Sequence, residues 1–223
     1  MKFGIDISHH NKIFDYEKAF SNIDFVIIRA GYGKVATQED KALKQNVENA
    51  IKYKKPFGIY WYSYAKNTSD AKQEAETCIS ILKKYNIKPT FPVFFDIEDE
   101  TQTKLSKAVN TEIVKTFCNT LKNAGYKVGF YTFHYFALSF LNVNDLEKYD
   151  YWYANCSTND NELTEKYSIH QYTFKLDVAG ISAKCDGDKM SDEYFNRYLK
   201  STNETVTAHD ALKILQKVVN KID

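Results

Sequence analysis

The sequence lacks the features that mark a membrane protein, a nucleic-acid-binding protein or a zinc-binding module. No run of eighteen apolar residues is present, so we predict no membrane insertion. Thirty basic and 29 acidic residues leave a net charge of +1, which gives no electrostatic case for nucleic acid as a partner. The cysteines form no Cys-x-x-Cys or Cys/His pattern, so we predict no metal and no cofactor. We expect mostly buried thiols at Cys78, Cys118, Cys156 and Cys185.

Two further patterns are missing from the chain. Its opening residues, Met1-Lys2-Phe3, lead directly into a predicted strand, so we expect no signal peptide at this N-terminus. None of the predicted strand ends carries Gly-x-Gly-x-x-Gly, the phosphate-binding turn expected of an open doubly wound sheet. Repeats, linkers and low-complexity tracts are also absent before residue 200, so we assign residues 1–200 to one domain.

What the sequence does contain is a series of strand patterns separated by helical ones. With 223 residues, 43% hydrophobic and 15% aromatic, the chain can bury the core of one domain. Predicted strands cover Phe3 to Ile7, Phe25 to Ala30, Phe57 to Tyr62, Phe91 to Ile97, Val128 to Thr132, Tyr151 to Asn155, Ser168 to Thr173 and Lys184 to Asp186. Predicted helices cover Gln38 to Tyr53, Ser69 to Tyr85, Ser106 to Ala124, Asn144 to Tyr149 and Asp192 to Leu199, with Ser69 and Ser106 as N-caps and Gly125 as a C-cap.

Strand and helix alternate through the first half, which predicts parallel pairing with right-handed crossovers. Eight such strands favour an α/β fold, a single TIM-like (β/α) barrel with an irregular, helix-poor second half. An open doubly wound sheet is the structural alternative. In a barrel of this type, functional side chains lie at the C-terminal ends of the strands.

Residues 91–99 combine a short apolar run with a cluster of acids. Because side chains alternate along a strand, Asp96 and Glu98 should point to the same side, roughly 7 Å apart at their backbones. A solvated junction between strand and loop explains most isolated Asp-x-Glu pairs. Paired carboxylates at a strand end are also the arrangement that acid–base chemistry requires.

Other predicted strand ends add to this pair. Asp6 ends the first strand and Asp186 the eighth, and these two strands are neighbours in a closed barrel. Both acids should therefore face Asp96 and Glu98 across one mouth. Aromatic residues on or near other strand ends, either sugar platforms or barrel packing, are Tyr60, Tyr62, Tyr131 and Trp152. Several acids and aromatics around one mouth are typical of a sugar-cleaving site.

A series of short motifs extends this pattern over residues 3–199. They are Gly4-Ile5-Asp6-Ile7-Ser8-His9-His10-Asn11, Gly58-Ile59-Tyr60-Trp61-Tyr62-Ser63-Tyr64-Ala65, Pro92-Val93-Phe94-Phe95-Asp96-Ile97-Glu98, Gly129-Phe130-Tyr131-Thr132, Tyr151-Trp152-Tyr153-Ala154, His170-Gln171-Tyr172-Thr173 and Gly180-Ile181-Ser182-Ala183-Lys184-Cys185-Asp186. In this order they resemble the motifs of the family 25 glycoside hydrolases, the N-acetylmuramidase lysozymes of phages and bacteria. The sequence departs from the family pattern at His170, Ala183 and Asp188, where Trp, Gly and Asn are usual.

The resemblance implies a role for each acid. Glu98 is the expected general acid and Asp96 its partner carboxylate, while Asp6 and Asp186 give electrostatic support. Asp96 either orients the acetamido group of the substrate or acts as the nucleophile, and the sequence leaves both roles open. Substrate-binding contacts are expected from Tyr60, Tyr62, Tyr131, Trp152 and Gln171.

The resemblance also implies an activity. We expect a retaining endo-acting muramidase that cleaves the β-1,4 bond between N-acetylmuramic acid and N-acetylglucosamine in peptidoglycan. Such an enzyme acts on the bacterial cell wall, either released from a host cytoplasm or secreted. One alternative is a chitinase-like enzyme, although its usual Asp-x-Asp-x-Glu motif would need an acid at Phe94. The other is a glycan-binding module, which has no reason to keep so many acids together.

Residues 201–223 form a separate pattern. Apolar residues recur there at helical spacing after a cap at Thr207, which predicts a C-terminal amphipathic helical tail. We expect the tail to pack against the barrel or to mediate self-association with a partner subunit, or else to be a fragment of a C-terminal module. It holds no predicted catalytic group.

Overall fold

Eight strands close into one barrel, in the order in which they occur along the chain. The computed structural model of the protein describes residues 1–157 and 167–200. The strands are β1 (Lys2–Ile7), β2 (Phe25–Tyr32), β3 (Phe57–Tyr62), β4 (Val93–Asp96), β5 (Val128–Phe133), β6 (Asp150–Ala154), β7 (Ile169–Leu176) and β8 (Cys185–Met190). The predicted eight-stranded barrel is confirmed, and the alternative of an open sheet is wrong.

The eighth strand runs against its neighbours. Strands β1 to β7 pair in parallel, whereas β8 is antiparallel to both β7 and β1. The prediction of an eighth strand that ends at Asp186 is therefore wrong. Residues 177–184 connect β7 to β8, and this connection is too short for the crossover that a parallel pair requires. As a result, the beginning of β8 lies at the edge where the parallel strands end.

Helices lie mainly in the first half of the chain. They are α1 (Tyr16–Ser21), α2 (Leu43–Lys52), α3 (Thr68–Lys84), α4 (Lys107–Asn123) and α5 (His134–Phe140), with 3-10 helices at Ala36–Gln38, Glu100–Lys104 and Val143–Leu146. A further helical segment covers residues 192–200. The predicted helix at 144–149 is replaced by the last 3-10 turn. Helices α1 and α5 escape the periodicity analysis because they are only six and seven residues long.

Helix ends follow their capping chemistry. Ser106 caps α4 as predicted, since its hydroxyl accepts a hydrogen bond from the backbone N–H of Val109. Gly125 follows the end of α4 with a φ of +91°, a conformation that favours glycine. Helix α3 is capped by Asn67 rather than by the predicted Ser69.

Two apolar regions stabilise the barrel. One lies between the strands and the outer helices, where the rings of Phe95 on β4 and Phe117 on α4 are 4.4 Å apart. The other fills the barrel interior. It is closed at the N-terminal end of the strands by segment 192–200, whose Phe195 ring lies 5.6 Å from that of Phe91. The mouth formed by the ends of the parallel strands lies at the opposite end.

Three further predictions concern the cysteines, membrane insertion and the C-terminal tail. Cys78, Cys118 and Cys185 are buried as expected, whereas Cys156 is exposed. Among the described residues, no helix combines the length and the apolar character needed to cross a membrane. The predicted helical tail, residues 201–223, and its self-association lie outside the described residues.

Phe117→Ala should lower the free energy of unfolding by about 3–5 kcal/mol, because the ring is fully buried and its truncation leaves a cavity. Phe14→Ala makes the same chemical change at a side chain that is 73% exposed, and should alter stability by less than about 0.5 kcal/mol. Urea denaturation followed by circular dichroism measures both changes. Equal losses would contradict this assignment of the core.

Candidate active site

The mouth of the barrel brings together the acids that the sequence analysis singled out. Asp6 lies near the end of β1, Asp96 is the last residue of β4, and Glu98 follows two residues later. Asp186, near the beginning of the antiparallel strand β8, is directly opposite Asp6 in the ladder. The structure therefore places Asp186 at the mouth, although from the start of its strand rather than from the predicted end.

Burial dominates the protonation of these carboxyl groups. It raises the pKa of the half-buried Glu98 to about 7, with a further contribution from nearby carboxylates, chiefly Asp186. Burial, followed by the charges of Glu98 and Asp6, raises the pKa of Asp96 well above its usual range, while the Arg29 guanidinium opposes this shift. Glu98 can therefore hold a proton near neutral pH. Asp96 is the member of the pair that faces a cation.

A further carboxyl group, Asp188, lies beneath the mouth and is missing from the site predicted from sequence. It is fully buried, and its Oδ1 accepts a hydrogen bond from Trp152 Nε1 at 2.8 Å. No donor in the described part of the chain reaches its Oδ2, and the Asp6 carboxyl group lies within hydrogen-bonding reach. Two buried carboxyl groups in contact favour sharing one proton. Side-chain alternation along β8 is the sequence signal for Asp188, since Asp186 is two residues away.

Most of the predicted sugar-binding aromatics lie below the acids. Trp152 is 1% exposed, and its ring centre is 4.5 Å from that of Tyr131 and 5.8 Å from that of Tyr60. All three side chains are buried and pack in the barrel interior, so none exposes a ring face at the surface, and their role in substrate binding stays a prediction. Tyr62 is half-buried at the rim, with its ring 5.1 Å from that of the exposed Tyr64. Tyr62 stays a candidate for sugar contacts.

Gln171, also expected among the substrate-binding residues, belongs to a buried hydrogen-bond network. Its side-chain nitrogen donates to Asp6 Oδ2 at 2.7 Å, and its side-chain oxygen accepts from the Tyr131 hydroxyl at 2.8 Å. The side chain therefore connects an acid of the mouth to an aromatic hydroxyl. It does not face solvent, since the residue is only 2% exposed.

A cation on β2 also reaches the site. Arg29 Nε donates to Asp40 Oδ2 at 2.7 Å, and His9 Nδ1 lies 2.9 Å from the same oxygen. Asp40 is buried, so this ion pair holds the guanidinium in place near Asp96. The signal in the sequence is Arg29 itself, which interrupts an otherwise apolar strand. Nothing in the local sequence identifies Asp40 as its partner.

The mouth contains the groups that cleavage of a glycosidic bond requires. A carboxyl group with a pKa near 7 stands next to a second carboxyl group, at the strand ends of a closed barrel. Among residues 1–157 and 167–200, no group of three or more His, Cys, Asp or Glu side chains is arranged to hold a metal ion. Fold and site together define the class of glycoside hydrolases with a barrel fold.

Comparison with known proteins identifies the family within this class. The family model described as glycosyl hydrolases family 25 matches residues 5–181, and the chain belongs to this family. The resemblance inferred from the sequence motifs is therefore confirmed. No curated protein sequence matches the chain in the corresponding comparison.

Solved structures with the same fold include an autolysin and two endolysins. The modular autolysin LytC from Streptococcus pneumoniae, in complex with a synthetic peptidoglycan ligand, is 30% identical with a TM-score of 0.75, over 84% of this chain and 46% of LytC. The CTP1L endolysin is 27% identical with a TM-score of 0.77, over 90% of this chain and 70% of the endolysin. The catalytic domain of endolysin ply40 from bacteriophage P40 of Listeria monocytogenes is 27% identical with a TM-score of 0.73, over 89% and 97%. This chain thus spans less than half of the length of LytC.

Asp188→Asn should stabilise the protein at alkaline pH and weaken the pH dependence of its stability. In the wild type, burial raises the pKa of Asp188 and of Asp6 in the folded state. Protonation of these two carboxyl groups stabilises the folded state below the ordinary carboxyl pKa of about 4. This contribution to the free energy of unfolding is lost as pH rises through the raised folded-state pKa values. Asparagine cannot ionise, still accepts from Trp152 and donates to Asp6, so we expect a gain of about 1–3 kcal/mol at pH 8.

Urea unfolding at pH 5 and pH 8 measures this effect. The matched control is Asp177→Asn, at a side chain that is 85% exposed, which should leave the pH dependence as in the wild type. A wild-type pH dependence in Asp188→Asn would contradict the shared proton.

Proposed function

We propose that this chain is a lysozyme, an endo-acting N-acetylmuramidase that cleaves the β-1,4 bond between N-acetylmuramic acid and N-acetylglucosamine in peptidoglycan. The observation that carries the proposal is the Glu98 carboxyl group, with a pKa raised by burial to about 7, beside Asp96 at the mouth of a family 25 barrel. The peptidoglycan ligand bound by LytC supports the substrate class. The endolysins among the structural matches are consistent with action on the bacterial cell wall.

Glu98 is the general acid in this proposal. The glycosidic oxygen is a poor leaving group, so a protonated carboxyl group must donate to it as the bond breaks. A pKa of about 7 lets Glu98 hold this proton near neutral pH and release it in the reaction. Its half-buried position leaves part of the side chain accessible from the mouth.

Asp96 is the partner carboxylate. Its Oδ1 is buried, and no donor within the described residues reaches it. This oxygen can therefore accept a hydrogen bond from the N–H of a substrate acetamido group. Held in this way, the acetamido oxygen would attack the anomeric carbon, and water would then open the resulting ring with net retention. Direct attack by Asp96 is the alternative, and it gives the same stereochemistry.

The remaining acids support the positive charge that develops on the sugar. The transition state resembles an oxocarbenium ion, so nearby carboxyl groups stabilise it in proportion to their ionised fraction. Asp186 is half-buried at the mouth and acts on Glu98 directly. Asp6 lies deeper, and burial raises its pKa well above the usual range, so its smaller ionised fraction gives it a lesser part in this stabilisation.

Digestion of purified peptidoglycan should create new reducing ends of N-acetylmuramic acid, because the proposed cleavage leaves this sugar at the break. Borohydride labelling followed by mass spectrometry identifies the ends, and chitin oligomers serve as the comparison substrate. Reducing ends of N-acetylglucosamine together with efficient cleavage of chitin oligomers would favour a chitinase-like enzyme. Binding without cleavage would favour a glycan-binding module.

Glu98→Gln should preserve the fold and lower kcat on soluble glycan fragments by roughly 10²–10⁴-fold, because the amide is nearly isosteric but cannot donate the proton. Glu100→Gln is the matched control: the same chemical change two residues away, at an exposed side chain, should leave turnover close to that of the wild type. Near-normal turnover in Glu98→Gln would place the general acid elsewhere.

A further inference from the structure

Glu98, the general acid of the proposed function, lies beyond the end of its strand. The backbone N–H of Ile97, one residue earlier, donates to the backbone oxygen of Tyr131 on β5 at 3.0 Å. After Glu98 the chain is held by a side chain, because the backbone N–H of Asp99 donates to Gln102 Oε1 at 3.1 Å. The Gln102 amide therefore fixes the peptide unit that joins Glu98 to Asp99.

The same amide reaches the loop that follows β3. Gln102 Nε2 donates to Ser63 Oγ at 3.1 Å and to the backbone oxygen of Ala65 at 3.2 Å. A backbone N–H only donates and a carbonyl oxygen only accepts, so the partners at its two ends determine the orientation of the amide. Gln102 is fully buried, so water does not readily replace these hydrogen bonds.

Ser63 holds the acidic segment at a second point. Its backbone N–H donates to the backbone oxygen of Asp96 at 2.9 Å, and its hydroxyl accepts from Gln102. Ser63 is also fully buried. The β3 loop is thus joined to both ends of the segment that carries the two acids, directly at Asp96 and through Gln102 at Asp99.

We propose that Gln102 is a positioning residue that holds Glu98 at the mouth by joining the loop after β4 to the loop after β3. The proposal rests on the role of Glu98 as general acid given above. A capping role in the 3-10 helix Glu100–Lys104 would use only the Gln102 oxygen, which accepts from Asp99. The two hydrogen bonds donated by Nε2 lead away from that helix, so they form a link between the loops.

Loss of the link would change the reaction in two ways. Proton transfer requires the carboxyl group to lie within hydrogen-bonding distance of the glycosidic oxygen, and a displacement of about 1 Å can lower turnover about 10²-fold. A loosened loop would also expose Glu98 to water. Burial is the largest contribution to its raised pKa, so exposure would lower this pKa toward the ordinary glutamate value of about 4.3.

The other groups around Glu98 are unchanged by a substitution at Gln102. Asp186 and Asp99 oppose the ionisation of Glu98, whereas the Tyr131 hydroxyl favours it. Two further titratable groups lie close by, the Asp96 carboxyl group and the Tyr62 hydroxyl. The expected effect on the pKa therefore comes from the position and burial of Glu98.

The test compares Gln102→Met with the wild type on soluble glycan fragments. Methionine is similar in length but lacks the amide that forms the three hydrogen bonds. We expect kcat to fall roughly 10- to 100-fold and KM to change less than about threefold, because the acid is displaced while the sugar-contacting residues are unchanged. The alkaline decline of kcat/KM, which reports the pKa of the general acid in the free enzyme, should move to lower pH.

Two variants serve as controls. Asn46→Leu removes another buried amide, whose oxygen accepts from the Tyr16 hydroxyl between the outer helices α1 and α2. Thr101→Val removes the hydrogen bond from Thr101 Oγ1 to Asp99 Oδ1 within the same 3-10 helix, but leaves the link to the β3 loop. Both should keep kcat and the pH profile close to those of the wild type. Urea unfolding of each variant confirms that folded proteins are compared.

A wild-type kcat and pH profile in Gln102→Met would overturn the proposal. So would a loss of the same size in Thr101→Val, since a local effect on the 3-10 helix would then explain both variants. If Gln102→Met does not fold, Ser63→Ala decides, because it removes one acceptor of the link and keeps the oxygen of Ala65. We expect a smaller loss of kcat in this variant with a shift in the same direction, and a wild-type pH profile would overturn the proposal.

Titration of the Glu98 carboxyl group by ¹³C NMR in the free protein separates this proposal from the proposed function. If Glu98→Gln keeps its activity, the assignment of the general acid fails, while the titration still reports whether Gln102 holds Glu98 in its buried position. If Glu98→Gln is inactive but the Glu98 titration is the same in Gln102→Met and in the wild type, the proposed function stands and the role of Gln102 is overturned.

Discussion

Keeping several carboxyl groups close together and away from water is the constraint on which the site depends. An ionised carboxylate in a poorly solvated place is costly unless a cation or a donor compensates it. The structure uses two solutions. Donors compensate some acids, as Trp152 does for Asp188 and Gln171 for Asp6. The second solution is to retain a proton to higher pH, and burial raises the pKa of Asp6 and Asp188 as well as that of Glu98.

The barrel provides both the poorly solvated environment of the acids and the opening through which a substrate would reach Glu98. Its interior is filled with aromatic rings beneath the mouth and is closed at the far end by segment 192–200, so the acids rest on an apolar base. Glu98 lies beyond the end of β4 and is only half-buried, which lets one group combine a raised pKa with contact to a substrate. A fully exposed carboxyl group at the same place would ionise well below neutral pH.

Donors are distributed unevenly between the acids, and the difference matches the proposed roles. Asp6 has a close donor in Gln171, and Asp40 has Arg29. The buried Oδ1 of Asp96 has none among the described residues. An acceptor left without a donor costs stability in the free protein. In the proposed function, a substrate N–H donates the missing hydrogen bond to this oxygen. Substrate binding would then recover the stability that the free protein lacks at this position.

The sequence by itself determined the barrel class, the positions of most strands and the identity of the mouth acids, because alternation, apolar runs and motif order are local patterns. The direction of β8 was missed, although the short connection before this strand already excludes the crossover that a parallel pair requires. Nor did the sequence separate Trp152 and Tyr60 as packing residues from Tyr62 at the rim, since all are aromatic residues near strand ends. Gln171 and Asp6 are 165 positions apart in the chain. Which carboxyl group shares a proton, and which one receives a donor, was decided only when the closed barrel brought such distant residues into contact.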